Sequence, residues 1–197
     1  MTRIVIAPLA APRWYPPGVD PDRWRRALAE DVVDILATLA EVEAGVAVTA
    51  ADRSLADAVL WPTMRVYQLT ELTMPTVLAA AAGDGYDQAA LVAVDAPDLP
   101  AMLIGKLLRP LGSRPVSVAP AIGEAGLLGL AARLPAPGWL PDLALADADP
   151  AALRRAAPGP GQVAVSPGWH RLAGPDDLAR LDPALEGWEA TRALLSL

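Results

Sequence analysis

The chain has 197 residues, 16 basic against 23 acidic side chains, a formal net charge of −7, no Cys and one His. Without Cys there is no thiol nucleophile, iron–sulfur cluster, Cys-type zinc site or disulfide, and one His cannot build a multi-His metal site. The acidic balance, with no basic run, argues against non-specific nucleic-acid binding, and no apolar stretch approaches the ~20 residues that span a bilayer.

The hydrophobic fraction is 53%, much of it Ala, so the bulky core must come from Leu, Val, Ile and the six Trp. The lack of disulfides and of an apolar signal core near Met1 predicts a cytoplasmic protein. Short β-branched runs then alternate with helical patterns. Residues 3–7 predict a buried first strand. Asp20 or Asp22 is placed to cap a helix that opens at Pro21 and runs to about Val42. Trp24, Leu28, Val32, Ile35, Leu36 and Leu39 share one of its faces, and Arg26 with Glu30 makes an i, i+4 pair. Gly45 punctuates the chain before a second strand over residues 46–49. Residues 52–60 read as a short helix, 65–69 as a strand, and 75–82 as a helix ended by Gly83-Asp84-Gly85. Residues 90–94 are a continuous apolar run of the kind found in a central parallel strand.

A helix over residues 101–108 and a strand over 116–119 follow. Residues 127–132 come with no helical crossover, so they predict an antiparallel return strand. Residues 134–161 are crowded with Pro and read as a long excursion with one short helix near 151–156. Residues 162–166 return to the sheet, Pro175-Asp176-Asp177-Leu178 opens a helix, and residues 183–195 give the last one. This order predicts one α/β domain over residues 1–197, a three-layer sandwich around a mostly parallel, mixed sheet.

The sharpest local feature is Val94-Asp95-Ala96-Pro97-Asp98-Leu99-Pro100, directly after the most apolar strand. In an open parallel sheet, ligands bind just beyond the strand C-termini. A carboxylate there can hold a hard cation such as Mg²⁺, which neutralises a diphosphate. Asp95 stands between that role and a plain turn; Asp98 reads as a turn and helix-cap residue. Residues 120–129 bring glycines after a strand but fit neither G-x-G-x-x-G nor a P-loop, and read as a turn between strands. The Pro-rich loop of residues 8–18 carries Arg13, Trp14 and Tyr15. These either grip a phosphate and stack on a base or cover one end of the sheet. His170 has no G-x-S-x-G elbow to serve and reads as a packing residue. Asp142, Asp147 and Asp149 read as a solvated acidic loop.

In order along the chain, these segments resemble a bacterial family of glycosyltransferase-A-fold proteins. That family is described as radical-SAM-associated glycosyltransferase-like and is related to molybdenum-cofactor and phospholactate nucleotidyltransferases. Residues 91–108 resemble its G-(S/T)-D-x-P-x-L strand, loop and helix, and residues 20–39 its helix ending in L-x-D-T-L. Residues 120–130 resemble its P-A-x-D-G-G-Y-x-L-x-G-L, and residues 172–181 its closing D-x-D-T-P-E-D-L. The resemblance implies a nucleotide-diphospho-sugar transferase fold with a nucleotide or nucleotide-sugar as ligand. It implies Pro8, Arg13 and Thr49 as nucleotide-binding positions. Asp95 becomes the catalytic and metal-binding carboxylate for Mg²⁺ or Mn²⁺.

The chain departs from that pattern at several points. It has no K-T-R-L phosphate grip after the first strand, where Arg13 is the one remnant. The acid of D-G-G-Y becomes Gly123 or moves to Glu124. The two leading acids of the closing motif become Arg171 and Ala173. The expected function is a divergent nucleotide-sugar-dependent glycosyltransferase or nucleotidyltransferase-like protein. Its reaction would be displacement at a nucleotide-activated donor, with Asp95 and the cation stabilising the leaving diphosphate. The alternatives are a non-catalytic relative acting as a binding or partner subunit, and an unrelated α/β protein with a coincidental turn.

Overall fold

The computed structural model describes residues 1–195 and sets seven strands into one sheet. They are β1 (Arg3–Pro8), β2 (Glu43–Val48), β3 (Arg65–Gln68), β4 (Gln88–Val92), β5 (Val116–Pro120), β6 (Leu127–Arg133) and β7 (Val163–Val165). The spatial order is β3-β2-β1-β4-β6-β5-β7. β3, β2, β1 and β4 are mutually parallel, and β7 runs parallel to β5. β6 is antiparallel to both β4 and β5. The strand without a helical crossover is thus the one reversed strand, as its short connection requires.

The described residues form six α-helices: α1 (Pro21–Ala37), α2 (Arg53–Val59), α3 (Met74–Gly83), α4 (Ala101–Leu108), α5 (Pro150–Ala156) and α6 (Glu189–Leu195), the last packed on α1. Alternation along each strand sends side chains to opposite faces. Val5, Val46 and Val92 pack with Val32 and Leu36 of α1 and Leu107 of α4. Ile4, Ile6 and Leu91 pack with Val77 and Leu78 of α3 and with Leu140 and Leu153 of the excursion. These are the two cores of a three-layer sandwich. A third cluster joins Trp24 and Leu28 to Leu172, Leu181 and Trp188, with Trp14 and Tyr15 at its margin. Trp14 meets Trp24 edge-on, ring centres 6.2 Å apart. In the first loop, Trp14 and Tyr15 therefore pack against α1 and the C-terminal segment.

α1 begins as expected, with Asp20 accepting from the Arg23 amide at 2.9 Å, but it stops at Ala37 rather than near Val42. The Thr38 amide and hydroxyl both turn back to the Ile35 carbonyl, at 3.1 and 2.8 Å. Glu41 then adopts a φ of 64°, which reverses the chain into β2. Gly45 lies inside β2, paired with Ile6 and Arg65, and does not punctuate it. Pro175–Arg180 is a 3₁₀ turn, and the last helix starts at Glu189 rather than Pro183. Its start is held by Asp31 of α1, which accepts the amides of Ala190 and Thr191 at 2.9 and 2.8 Å. Burial raises the Asp31 pKa to about 6, against the lowering pull of the Thr191 and Ala190 hydrogen bonds.

Candidate functional site

The parallel strands β1, β4 and β5 end on one edge of the sheet, and β6 starts there. Four loops therefore converge at this edge: residues 9–18 after β1, 93–100 after β4, 121–126 between β5 and β6, and 166–174 after β7. The last of these is drawn across the edge by backbone bonds. The Ile122 amide donates to the Trp169 carbonyl at 2.9 Å, and the Leu172 amide to the Asp95 carbonyl at 2.7 Å. That second bond sets Arg171 against Asp95. The Arg171 Nε and Nη2 donate to the two Asp95 oxygens at 2.6 and 2.7 Å, and Nη1 donates to the Leu127 carbonyl at 3.0 Å. Asp95 is 3% exposed and Arg171 6%. Burial is the largest influence and opposes the Arg171 charge, but the hydrogen bonds to Asp95 and the attraction of Asp95, Glu124 and Asp147 together raise its pKa above the usual value.

Asp95 and Arg171 line a narrow cleft of about 50 Å³ together with Pro8, Arg13, Leu72 and Ala146. A second, more open hollow of about 370 Å³ shares Arg13 and Ala146 and reaches Glu124, Gly126 and Asp149. The excursion separates the two, so the Pro-rich segment is part of the site. Arg13 pins it by donating to Asp147 Oδ1 at 2.8 Å and to the Ala146 carbonyl. This ion pair is exposed, with 38% and 59% of its two side chains accessible. Such pairs are worth ~1 kcal/mol or less and exchange readily with solvent ions. Asp149 caps α5, accepting the Ala151 and Ala152 amides at 3.1 and 2.9 Å. The expected solvated acidic loop therefore contains a latch and a cap.

Gly126 closes the loop by accepting from the Ala121 amide at 3.1 Å. Its φ is 108°, and a Cβ there would meet the Ala146 carbonyl at 2.8 Å and Arg171 Nη1 at 3.2 Å. Glycine is thus what lets the loop, the excursion and Arg171 meet. Gly123, at φ 88°, likewise seats the Arg180 guanidinium, which donates to the Ile122 carbonyl at 3.0 Å. Glu124 is half-buried, and its Oε1 has no partner. Burial raises its pKa, and Asp95 and Asp177 add to that, while Arg171 and Arg13 oppose it.

Of the sequence-derived candidates, Pro8, Arg13 and Asp95 meet in the cleft, and Glu124 lies in the adjoining hollow. Thr49 lines neither. Its hydroxyl is 3.1 Å from Asp52 Oδ2, and Asp52 in turn takes Arg25 Nη1 at 2.6 Å. The Arg25 hydrogen bond holds the Asp52 carboxyl below its usual pKa despite partial burial. Arg25 Nη2 also donates to the Leu9 carbonyl at 2.7 Å, so α1 supplies a second cation to the first loop.

Asp98 is not a helix cap. It is 2% exposed and accepts from Trp169 Nε1 at 3.1 Å and the Asp182 amide at 3.2 Å. His170 Nε2 lies 3.0 Å from Asp98 Oδ1, but out of line for a hydrogen bond. His170 packs at the site's rear, its ring 4.9 Å from that of Trp169. Asp177 accepts the Ala173 and Gly174 amides at 3.0 and 2.9 Å and pairs with Arg180 at 3.1 Å.

The important residue that the sequence reading passes over is Arg171, which it counts only as a lost acid. The available signal was the charge reversal at Arg171 in the closing motif. A divalent cation does not fit this arrangement. Both Asp95 oxygens are taken by Arg171, and among the described residues no three His, Asp or Glu side chains are grouped to hold a metal.

No family model matches the chain, and no curated protein matches it. Solved structures do. A protein from Desulfovibrio desulfuricans G20, described as a nucleotide-diphospho-sugar transferase, aligns with a TM-score of 0.67 at 20% identity, over 100% of this chain and 98% of its own. The chain has the nucleotide-diphospho-sugar transferase fold. CMP:2-keto-3-deoxy-manno-octonic acid synthetase complexed with CTP shares this fold with a TM-score of 0.58 at 14% identity, over 100% and 99% of the two chains. A Mycobacterium tuberculosis H37Rv protein in complex with manganese shares it with a TM-score of 0.53 at 10% identity, over 93% and 99%. As in the sequence reading, no helix of the described residues is long and apolar enough to cross a membrane.

Proposed function

We propose that this chain binds a nucleotide or nucleotide-sugar at the β1/β4/β5 edge and acts as a divergent glycosyltransferase or nucleotidyltransferase. The observation that carries this reading is the convergence of Pro8, Arg13 and Asp95 on a cleft beyond the C-termini of parallel strands, where open α/β sheets take their ligands. The reading is supported by the CTP complex of the synthetase with this fold. The cleft as it stands is far smaller than the ~300 Å³ or more of an ordinary ligand site. The exposed Arg13–Asp147 latch is the element that opens, joining the cleft to the hollow beside it. Arg13 then exchanges a carboxylate for a phosphate, which its planar guanidinium suits equally well.

Calorimetry with nucleoside triphosphates and nucleotide-sugars tests this. Saturable heat with at least one of them is expected, weakened by Arg13→Ala. Absence of heat with all of them, at concentrations well above the millimolar range, overturns it. A second reading, a non-catalytic relative, is favoured by the bidentate occupation of Asp95. Binding without turnover of any bound nucleotide-sugar, across acceptor classes, would select it.

A further inference from the structure

Burying an Arg–carboxylate pair takes two charges out of water, and their attraction often only offsets that cost. Stability alone therefore gives little reason for the Asp95–Arg171 pair to line a cleft. Arg171 uses Nε–H and one Nη2–H on Asp95, and one Nη1–H on the Leu127 carbonyl. A guanidinium carries five N–H donors, so one donor remains on each terminal nitrogen. Gly126, with no side chain, lets the Ala146 carbonyl and Arg171 Nη1 come close together at the cleft. Arg13 lines the same cleft, and its Nη2 donates to the Ala146 carbonyl beside Gly126.

We propose that Arg171 stands in the place of a divalent cation, so that Arg171 and Arg13 hold the diphosphate of the nucleotide ligand without metal. The proposal rests on the nucleotide reading of this cleft. A divalent cation on Asp95 leaves one net positive charge facing a diphosphate. Arg171 on Asp95 leaves a neutral pair with free N–H donors, and the positive charge comes from Arg13 once it leaves Asp147. The two arginines divide the work by their burial. Arg171 is held rigid by a buried bidentate pair, which costs no reorganisation when an anion arrives. Arg13 is held by an exposed pair with Asp147 and by the Ala146 carbonyl, and it is the arginine that moves onto the ligand. Glu124 is the acid that opposes an anion here, and its buried Oε1 has no hydrogen-bond partner.

Calorimetry of the full chain with inorganic pyrophosphate, nucleoside triphosphates and nucleotide-sugars, in EDTA and in excess Mg²⁺ or Mn²⁺, tests the proposal. Affinities agreeing within about threefold between the two conditions support it, since a metal-held diphosphate loses most of its binding charge in EDTA. Binding that appears only with the metal overturns it and leaves the nucleotide reading standing. No binding in either condition overturns both. Glu124→Gln is expected to tighten pyrophosphate binding in EDTA. Arg171→Met frees Asp95 and is expected to abolish binding in EDTA while Mn²⁺ partly restores it. Where that variant does not fold, the wild-type comparison in EDTA still decides.

Discussion

Asp95→Ala removes one partner of the buried pair and leaves Arg171 with nothing but the Leu127 carbonyl. Two short charge-assisted hydrogen bonds, of 2.6 and 2.7 Å, are lost. The guanidinium stays where it is, because the Leu172 amide and the adjoining Ile122–Trp169 bond hold its backbone. At 6% exposure it cannot recover its hydration. Breaking a buried pair in this way costs ~3–5 kcal/mol. Glu124 lies within electrostatic reach of Arg171 and partly compensates, which places the expected loss near the lower end. In a chain of this length the loss corresponds to a fall of roughly 6–20 °C in Tm. Urea unfolding of wild type, Asp95→Ala, Asp95→Leu, Arg171→Met and the double variant Asp95→Leu/Arg171→Met measures it. The double variant removes both charges and is expected to recover most of the lost stability. A loss below ~1 kcal/mol in Asp95→Ala, or a double variant as unstable as the sum of the singles, would refute the reasoning. Either result means the pair is not closed in the folded protein.

Asp31 predicts a pH dependence. Its folded pKa is raised to about 6 from 3.8, so the native state binds the proton more tightly than the unfolded chain. The stability this contributes is fully present below the unfolded value and is lost as pH rises through about 6. It amounts to about 3 kcal/mol across the window, read as the difference between wild-type and Asp31→Asn unfolding curves from pH 4 to 7; parallel curves count against it. Gly126→Ala puts a Cβ against the Ala146 carbonyl at a positive φ, and ~1–3 kcal/mol of strain is expected. Enhanced proteolysis of the excursion should report it, and unchanged protection would contradict the assigned contact. Asp149→Ala uncaps α5 and should cost ~0.5–2 kcal/mol in chemical denaturation. Arg13→Ala should change stability by less than ~1 kcal/mol while raising hydrogen exchange in residues 144–149; unaltered exchange would show that Arg13 is not the latch.

Much of the fold was legible locally. Apolar runs such as Leu91 and Val92 in β4 and the stripe from Trp24 to Leu36 state which residues face the core. The lack of a crossover helix before Leu127 states that β6 must run backwards. Where neighbouring backbone decides, as at Thr38 and Glu41, the pattern overran: apolar Leu39 continues the stripe, but a hydroxyl cap and a left-handed residue end the helix. The candidate edge was legible for the same local reason, because Asp95 lies just beyond the buried parallel strand β4.

The site's electrostatics were not legible. Composition alone left carboxylates and arginines as the only chemistry available, since Cys is absent and His nearly so. Which carboxylate meets which arginine depends on separations of 76 and 134 residues along the chain, for Asp95–Arg171 and Arg13–Asp147. No periodicity encodes such pairings. They are set by strand order and by backbone bonds between loops, and these place Arg171 on the carboxylate that the motif had reserved for a metal.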